Sequence, residues 1–420
     1  MNYLRLTLAS LRNRTLTTTL TVLSIGLSVG LFVGVERMRL AARESFQGTV
    51  SGAQILAGAR AGSVQLLLYA IFHIGNATRN VTYKSYKDIS SNPAVEWAIP
   101  ISLGDSYRGF RVVGTDQNFY KYYQFRDRKS LSFESGAPAS DIFDVVLGAD
   151  VARSLNHSMG KEIVISHGVA EKSLIHHDDK PFVVKGILAK TGTPIDRSVF
   201  ITLEGMEAIH IDWKSGAQPS EEEHVDAQTV RKMKIQIGAI TAFLMRMKSP
   251  GQILRYQRTI NDYAAEPLTA VTPGAALQEL WQTVGYAEDA LRIISVFVVL
   301  VGLSGMFLSI YTTLGERRRE MAILRALGAR AYHIVMLLLL EAATVTIAGC
   351  MVGVGIVYAL LFAFQPWIET QFGIFIPVQL LSPAEWGYLG IVIVCGILTG
   401  LIPAFRAYRN ALHDGLSVRV

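Results

Sequence analysis

Four stretches of this chain carry no acidic or basic residue over a length that only a membrane explains. Between Arg14 and Glu36 lie 21 such residues, between Arg292 and Glu316 23, between Glu341 and Glu369 27, and between Glu385 and Arg406 20. At about 1.5 Å of rise per helical residue, each can cross a hydrocarbon core of about 30 Å. The spacing is as restrictive as the number. A long insert, residues 36–292, separates the first stretch from the second, and the last three crowd into the C-terminal third. The expected architecture is therefore an α-helical membrane protein with four spans in a 1 + 3 layout, at residues 15–35, 293–315, 334–365 and 386–405.

Orientation follows from the short loops, because Lys and Arg accumulate on the cytoplasmic side. The N-terminal segment 1–14 holds Arg5, Arg12 and Arg14, the loop 316–333 holds Arg317, Arg318, Arg319, Arg325 and Arg330, and the tail 406–420 holds Arg406, Arg409 and Arg419. The loop 366–385 has no Lys or Arg. Both termini are expected in the cytoplasm and the insert outside. This also accounts for the sequence pI of 9.2, since the excess charge lies in the cytoplasmic segments and the insert is close to neutral. Anionic headgroups at the inner surface explain the basicity, and no nucleic acid is required. The first apolar stretch exceeds the ~7–15 residues of a signal-peptide h-region and reads as an uncleaved span. Ahead of it, Leu4, Leu8 and Leu11 recur at helical spacing opposite Arg5 and Arg12, the pattern of an amphipathic helix on the cytoplasmic surface.

The insert alternates short helical and strand patterns. Strands are expected at 95–101, 107–114, 144–147, 161–166, 181–188, 198–202 and 235–247, and helices at 84–91, 149–155 and 252–263. An α+β domain of one or two lobes follows. Residues 64–74, apolar except for Gln65 and His73, are too short to span; a buried helix or an exposed patch that touches lipid are the two readings. Cys350 and Cys395 are the only cysteines and both fall in spans, so the insert relies on its own core rather than on disulfides.

The most specific string is Gly315-Glu316-Arg317-Arg318-Arg319-Glu320-Met321-Ala322-Ile323-Leu324-Arg325-Ala326-Leu327-Gly328-Ala329. Met321, Leu324 and Leu327 recur every third residue on one face, and Gly328 stands where a helix C-cap is expected. A short amphipathic helix here can dock on a soluble partner below the membrane. A solvated, positive-inside loop would explain the arginines alone.

This string resembles the signature of the MacB/FtsX-type permeases, membrane subunits of ABC transporters that work by mechanotransmission and are related to the lipoprotein-releasing Lol permeases. The four-span layout, the run Val146-Leu147-Gly148-Ala149-Asp150-Val151-Ala152 and the closing Pro403-Ala404-Phe405-Arg406-Ala407-Tyr408-Arg409 are similar to that family too. The tail Asn410-Ala411-Leu412 lacks the proline often found there. Thr191-Gly192-Thr193-Pro194-Ile195-Asp196-Arg197 looks like a subgroup feature, with no role that the sequence assigns. The resemblance implies a permease dimer, or a pair with a paralogue, bound to a cytoplasmic ABC ATPase dimer that holds ATP and Mg. Cargo would be hydrophobic or envelope-associated and handled outside the inner membrane, with a periplasmic adaptor or substrate protein as a further partner. Glu316, Arg317, Arg318, Arg319, Glu320, Met321, Leu324, Leu327 and Gly328 would form the ATPase-docking element.

The residues support the need for such a partner. No G-x-x-x-x-G-K-[ST] string occurs in the 420 residues, and Gly186-Ile187-Leu188-Ala189-Lys190-Thr191 lacks the required glycines. No cofactor is expected in the chain itself. No G-x-S-x-G elbow supports a hydrolase. Gly349, Gly353 and Gly355 in the third span, with Gly302 and Gly305 in the second, permit close helix approach and fit self-association. Glu341, a carboxylate inside the third span, is a candidate coupling residue, with structural pairing to an arginine as the alternative. His176, His177 and Asp178 are the densest set of metal-type ligands, set against a solvated loop. Two further functions stay open: an FtsX-like signalling module that activates an envelope enzyme, and a component of a metal-handling system. Spans 1 and 2, which root the insert, read as the transmitting pair, and spans 3 and 4 as their brace.

Overall fold

A computed structural model of the chain describes residues 3–49, 51–126, 128–166, 180–212, 225, 227–316, 321, 323, 325, 326, 328–372, 376 and 378–413. The described residues form two compact units, one from Met1–Ala41, Gly285–Pro366 and Ile376–Val420, the other from Ala42–Val284 and Trp367–Phe375.

The first unit holds the spans. Four helices, Thr15–Gly48, Pro273–Glu316, Ala331–Phe372 and Pro383–His413, each contain a stretch long and apolar enough to cross a membrane. All four outrun the uncharged gaps. Nothing breaks the first helix at Glu36, because Glu, Arg, Met, Leu and Ala all favour helix, and it ends only at Gly48. The second starts at Pro273, where proline's missing N–H costs nothing. Pro366 and Pro403 lie inside the third and fourth helices, as membrane helices tolerate. The N-terminal helix Tyr3–Asn13 forms where the spacing of Leu4, Leu8 and Leu11 predicts one. Leu11 packs inward beside Thr7, whose hydroxyl donates to Tyr3 O at 3.0 Å, and Leu8 is exposed, the side open to a membrane surface.

Glycines set the packing of spans 1 and 3. A Cβ on Gly353 would lie 2.6 Å from Gly26 O and 3.0 Å from Gly30 N, and one on Gly349 2.7 Å from Ile25 Cβ. Gly26-x-x-x-Gly30 thus faces Gly349-x-x-x-Gly353 backbone to backbone, the approach that only small residues allow. Gly302 of span 2 meets Ser28, Gly396 of span 4 meets Thr346, and Gly400 meets Ala342. The glycines expected to serve self-association are largely spent inside one copy. Only Gly355 among the five has nothing within 4 Å of a Cβ, with Gly305 no closer than 3.9 Å to Ser24 Oγ.

Among the described residues, the insert is an α+β unit built on one ten-stranded sheet. Its strands are β1 (Ile55–Ala59), β3 (Val95–Tyr107), β4 (Phe110–Thr115), β7 (Phe133–Gly136), β8 (Asp144–Leu147), β9 (Glu162–Ile163), β10 (Phe182–Leu188), β11 (Ser198–Thr202), β13 (Ala242–Met247) and β14 (Leu268–Val271). They run in the order β14-β1-β13-β3-β4-β11-β8-β10-β7, with β9 beside β10; β2 (Val81–Thr82) with β12 (Ala239–Ile240), and β5 (Gln124–Phe125) with β6 (Lys129–Ser130), form small separate pairs. Long β3 joins two lobes, because Val95–Ile101 pair with β13 and Ser102–Tyr107 with β4. One lobe is antiparallel; the other mixes parallel pairs, β4 with β11 and β8 with β10, with antiparallel ones.

The strand expected at 107–114 is β4 from Phe110 onward, and its first residues form a hairpin turn with β3. Tyr107 pairs with Phe110, and Arg108 and Gly109 have φ of 48° and 84°, the two left-handed positions of a type I′ turn. The expected strand 235–247 shortens to β12 and β13, and β1 and β14 carry no alternation because both faces of that sheet are covered. Residues 64–74 resolve as a buried helix, Ser63–Ile71, whose Leu66, Leu67, Tyr69 and Ile71 join the core under the sheet.

Candidate functional site

Between the second and third of these helices lies the segment 316–333, described only in part. Met321, Ile323, Arg325 and Ala326 are helical, and Gly328 adopts φ +94° while its N–H donates to Arg325 O at 2.9 Å, the left-handed close that ends helices. Met321 is half-buried, and Ile323, Arg325 and Ala326 are exposed. Glu316 ends the second helix. Arg317, Arg318, Arg319, Glu320, Leu324 and Leu327 lie outside the described residues.

Polar and ring contacts gather at this end of the helices. Arg330 N–H donates to His333 Nδ1 at 2.8 Å as the third helix begins, and Tyr3 stacks on the His333 ring at 5.9 Å. Arg14 reaches Thr313 O at 3.5 Å, and Arg406 bonds the Tyr311 hydroxyl with its guanidinium 5.0 Å from that ring. Just inside, Arg14 of the N-terminal segment, Thr17, Thr18 and Thr21 of the first span, Ser309 and Thr313 of the second and Glu341 of the third line a cavity of about 20 Å³, enough for one water molecule. Glu341 is buried, as an intramembrane carboxylate must be, and shares its polar surroundings with Arg14 from the N-terminal segment.

At the other end of spans 1 and 2, charges that mark the limits of the uncharged gaps pair with one another. Arg39 bonds Glu36 at 2.7 Å and Glu288 at 3.3 Å, and Arg292 approaches Glu36 at 3.7 Å. Each charge lies about one helical turn from the next, so the two helices that root the insert are stitched where they leave the apolar stretch.

Within the insert, the two strings similar to the family pack on each other. Asp196 accepts from Thr191 N at 2.8 Å, Thr191 Oγ1 at 2.8 Å and Gly192 N at 2.6 Å, closing the loop, and Lys190 bridges Asp150 at 2.6 Å to Asp196 at 3.6 Å. A Cβ on Gly148 would sit 2.3 Å from Ile195 O, so only glycine fits. This is a structural joint, which gives 191–197 the role that the sequence did not assign.

A serine–histidine pair does occur, and its geometry argues against hydrolysis. His73 Nδ1 lies 2.7 Å from Ser198 Oγ, but the hydroxyl donates to Pro194 O at 3.0 Å, so it receives its other bond from His73 and has no base to take its proton. Ser198 is buried. Burial, together with the nearby Arg111 guanidinium, pushes His73 down to about 3. The imidazole is therefore neutral in the fold and titrates near its ordinary ~6.5 in the unfolded chain. The stability that this provides is present above pH ~6.5 and lost as pH falls from there toward 3. His73→Asn, chosen because φ at this position is 56° and asparagine tolerates that region, should flatten the decline of the insert's urea midpoint between pH 7 and 4. An unchanged slope would sink the assignment.

Among the described residues no three His, Cys, Asp or Glu side chains are placed to hold a metal ion. His176, His177 and Asp178 lie outside the described residues.

Comparison with known proteins agrees with this arrangement. Residues 18–249 match the family described as MacB-like periplasmic core domain, and residues 292–412 the family described as FtsX-like permease C-terminal. A macrolide export ATP-binding/permease protein, MacB, from Neisseria gonorrhoeae is 23% identical over 349 residues, which is 81% of this chain and 49% of that protein. The MacB of Nitrosomonas europaea is 34% identical over 122 residues, 28% of this chain and 17% of its own. The chain spans about half the length of the Neisseria relative. Among solved structures, the extracellular domain of the noncanonic ABC-type transporter YknZ from Gram-positive bacteria aligns over 52% of this chain and 99% of its own at 13% identity, with a TM-score of 0.30. With its four apolar helices, its sheet-rich insert between the first two and both family matches, the chain belongs to the MacB/FtsX-type family of ABC transporter permeases.

Proposed function

We propose that this chain is the permease subunit of an ABC transporter in the bacterial inner membrane and transmits ATPase-driven motion to its extracytoplasmic insert. In this reading both termini and the 316–333 segment are cytoplasmic, ATP and Mg are held by a separate ATPase dimer, and a second permease copy or paralogue completes the assembly. Cargo is hydrophobic or envelope-associated and is acted on outside the membrane, by export or by extraction of lipoprotein type. A periplasmic adaptor or substrate protein is the expected outer partner.

One observation carries the reading: a charge-rich segment, whose described residues Met321, Ile323, Arg325 and Ala326 are helical and which left-handed Gly328 closes, joins span 2 to span 3 while the large insert joins span 1 to span 2. Displacing the segment moves the cytoplasmic end of span 2, and the same continuous helix runs out to Pro273. A helix with an unbroken hydrogen-bond ladder passes such a displacement along its length.

The test is docking. Leu324→Asp places a carboxylate on the apolar side of the segment and should lower co-purification of the ATPase at least tenfold, with the amount of permease in the membrane unchanged. Complex formation at the wild-type level would remove the assignment.

A further inference from the structure

Arg37 lies just past the first uncharged stretch and is only 8% exposed. Its Nε donates to Glu385 Oε1 at 2.7 Å, and its Nη2 donates to the Tyr358 hydroxyl at 2.9 Å and to Gln379 O at 3.1 Å. The guanidinium also stands 4.6 Å from the centre of the Tyr358 ring. Tyr358 OH in turn donates to Gln379 O at 2.6 Å. One side chain of span 1 thereby holds span 3, the segment that follows it, and span 4.

Glu385 is itself fixed. Ser382-Pro383-Ala384-Glu385 opens span 4 with a capping box: Ser382 N donates to Glu385 Oε2 at 2.6 Å, and Glu385 N donates to Ser382 Oγ at 3.2 Å. The carboxylate therefore starts the helix and neutralises Arg37 together. A buried charge held by a preorganised partner cannot drift without leaving both groups desolvated and unpaired.

Below this clasp spans 1 and 3 touch turn after turn, at Ile25 with Gly349, Gly26 with Val352, Gly30 with Gly353 and Gly34 with Val357. Phe32 meets Tyr388 of span 4 edge to face at 5.3 Å. Spans 3 and 4 are tied by Gly396 against Thr346 and Gly400 against Ala342. The pairs that join span 1 to span 2 at the same level are less buried than Arg37 and Glu385, with Arg39 16%, Glu288 18% and Arg292 44% exposed.

We infer that Arg37 is a positioning clasp that makes spans 1, 3 and 4 one body, against which span 2 moves. This inference rests on the proposed transmission of motion to the insert. It replaces the division into a transmitting pair, spans 1 and 2, and a brace, spans 3 and 4. The insert is rooted on both bodies, one root on span 1 and the other on span 2, and the cytoplasmic segment joins span 2 to span 3. Motion of the segment becomes sliding between the two bodies, and the two roots of the insert shift relative to each other.

Two disulfides separate this route from the alternative. An ideal Cβ on Gly26 lies 3.3 Å from Val352 Cβ, and one on Gly302 lies 3.2 Å from Ser28 Cβ, both close to the ~3.5–4.5 Å of a disulfide. In the full chain with Cys350→Ala and Cys395→Ala, in native-host membranes with the partner ATPase, the readout is the ATP-dependent change in the rate of trypsin cleavage of the insert. Oxidised Gly26→Cys/Val352→Cys should keep that change within twofold of the reduced protein. Oxidised Ser28→Cys/Gly302→Cys should abolish it. Arg37→Gln should lose at least 80% of the change while still retaining the ATPase, and the Gly26→Cys/Val352→Cys disulfide, which restores the tie covalently, should bring it back. A block by the 26/352 disulfide, or its failure to rescue Arg37→Gln, would overturn the clasp. Absence of any ATP response in the parent protein would instead overturn the functional reading, which the parent arm alone reports.

Discussion

Lys180→Met should unfold the insert or lower its urea midpoint severely, while Lys180→Met combined with Asp212→Leu should recover most of the loss. Lys180 Nζ lies 2.8 Å from both carboxylate oxygens of Asp212, and neither side chain has any exposure. Burial pushes the Asp212 carboxyl up, but the Lys180 ammonium outweighs that and holds it below its ordinary value. Methionine fills the volume of the lysine stem and leaves the carboxylate buried without its cation. Removing one partner of such a pair costs about 3–5 kcal/mol, whereas replacing both by apolar groups is often neutral. Against a domain stability of about 5–15 kcal/mol, the single change consumes a large share. The check is pulse proteolysis of the full chain in urea. Equal midpoints for the single and double variants would show that the lost lysine, rather than the stranded carboxylate, sets the cost.

The membrane layout was legible because lipid punishes charge over a fixed length. Four uncharged gaps gave four helices, and the long insert gave an α+β unit. Helix ends were not legible from the same signal. Charge marks where apolar residues stop, but Glu36 to Glu44 is made of good helix formers, so the first helix continues to Gly48. Within the insert, β8, β10 and β11 stood out as apolar runs between turn residues. The Tyr107–Phe110 hairpin did not, because Arg108-Gly109 lacks the usual asparagine or aspartate before the glycine.

The polar contacts show a similar split. Gly328 was readable because a glycine after a periodic helix has a conformational reason to be there. Glu341 was readable as an intramembrane carboxylate, yet its setting beside Arg14 was not, since tertiary packing chose that neighbour. Arg37 left no mark in the sequence beyond following Glu36, which bounds an apolar run. Its partner did: Ser382-Pro383-Ala384-Glu385 is a capping box with proline at the first helical position, a start signal for span 4 ahead of the expected residue 386. What the pattern could not say is that its glutamate also serves a second helix.

Glycine placement in span 3 gives the second large effect, with a control two residues away. Gly353→Leu should push spans 1 and 3 apart and lower the bundle's thermal midpoint, and Gly355→Leu should leave it unchanged. At position 353 even a Cβ would sit 2.6 Å from Gly26 O and 3.0 Å from both Gly30 N and Val29 Cβ. Two of those three atoms are backbone, so no rotamer change relieves the contact and the helices must separate. In a bilayer little hydrophobic force drives them back together, because lipid tails are as apolar as the side chains they replace, and close packing supplies the attraction. Position 355 opens onto free space within 4 Å, where a leucine also favours helix. Overpacking costs about 1–3 kcal/mol and more when backbone is the obstacle. For a unit of this size that lowers the thermal midpoint by roughly 5–10 °C for Gly353→Leu, measured by size-exclusion chromatography of the detergent-solubilised chain after heating. The separated helices would also carry Tyr358 away from Arg37, so the Gly353 variant should lose the ATP-dependent response of the insert below its melting temperature, and the Gly355 variant should keep it. Equal behaviour of the two variants would mean that spans 1 and 3 are not held by this face.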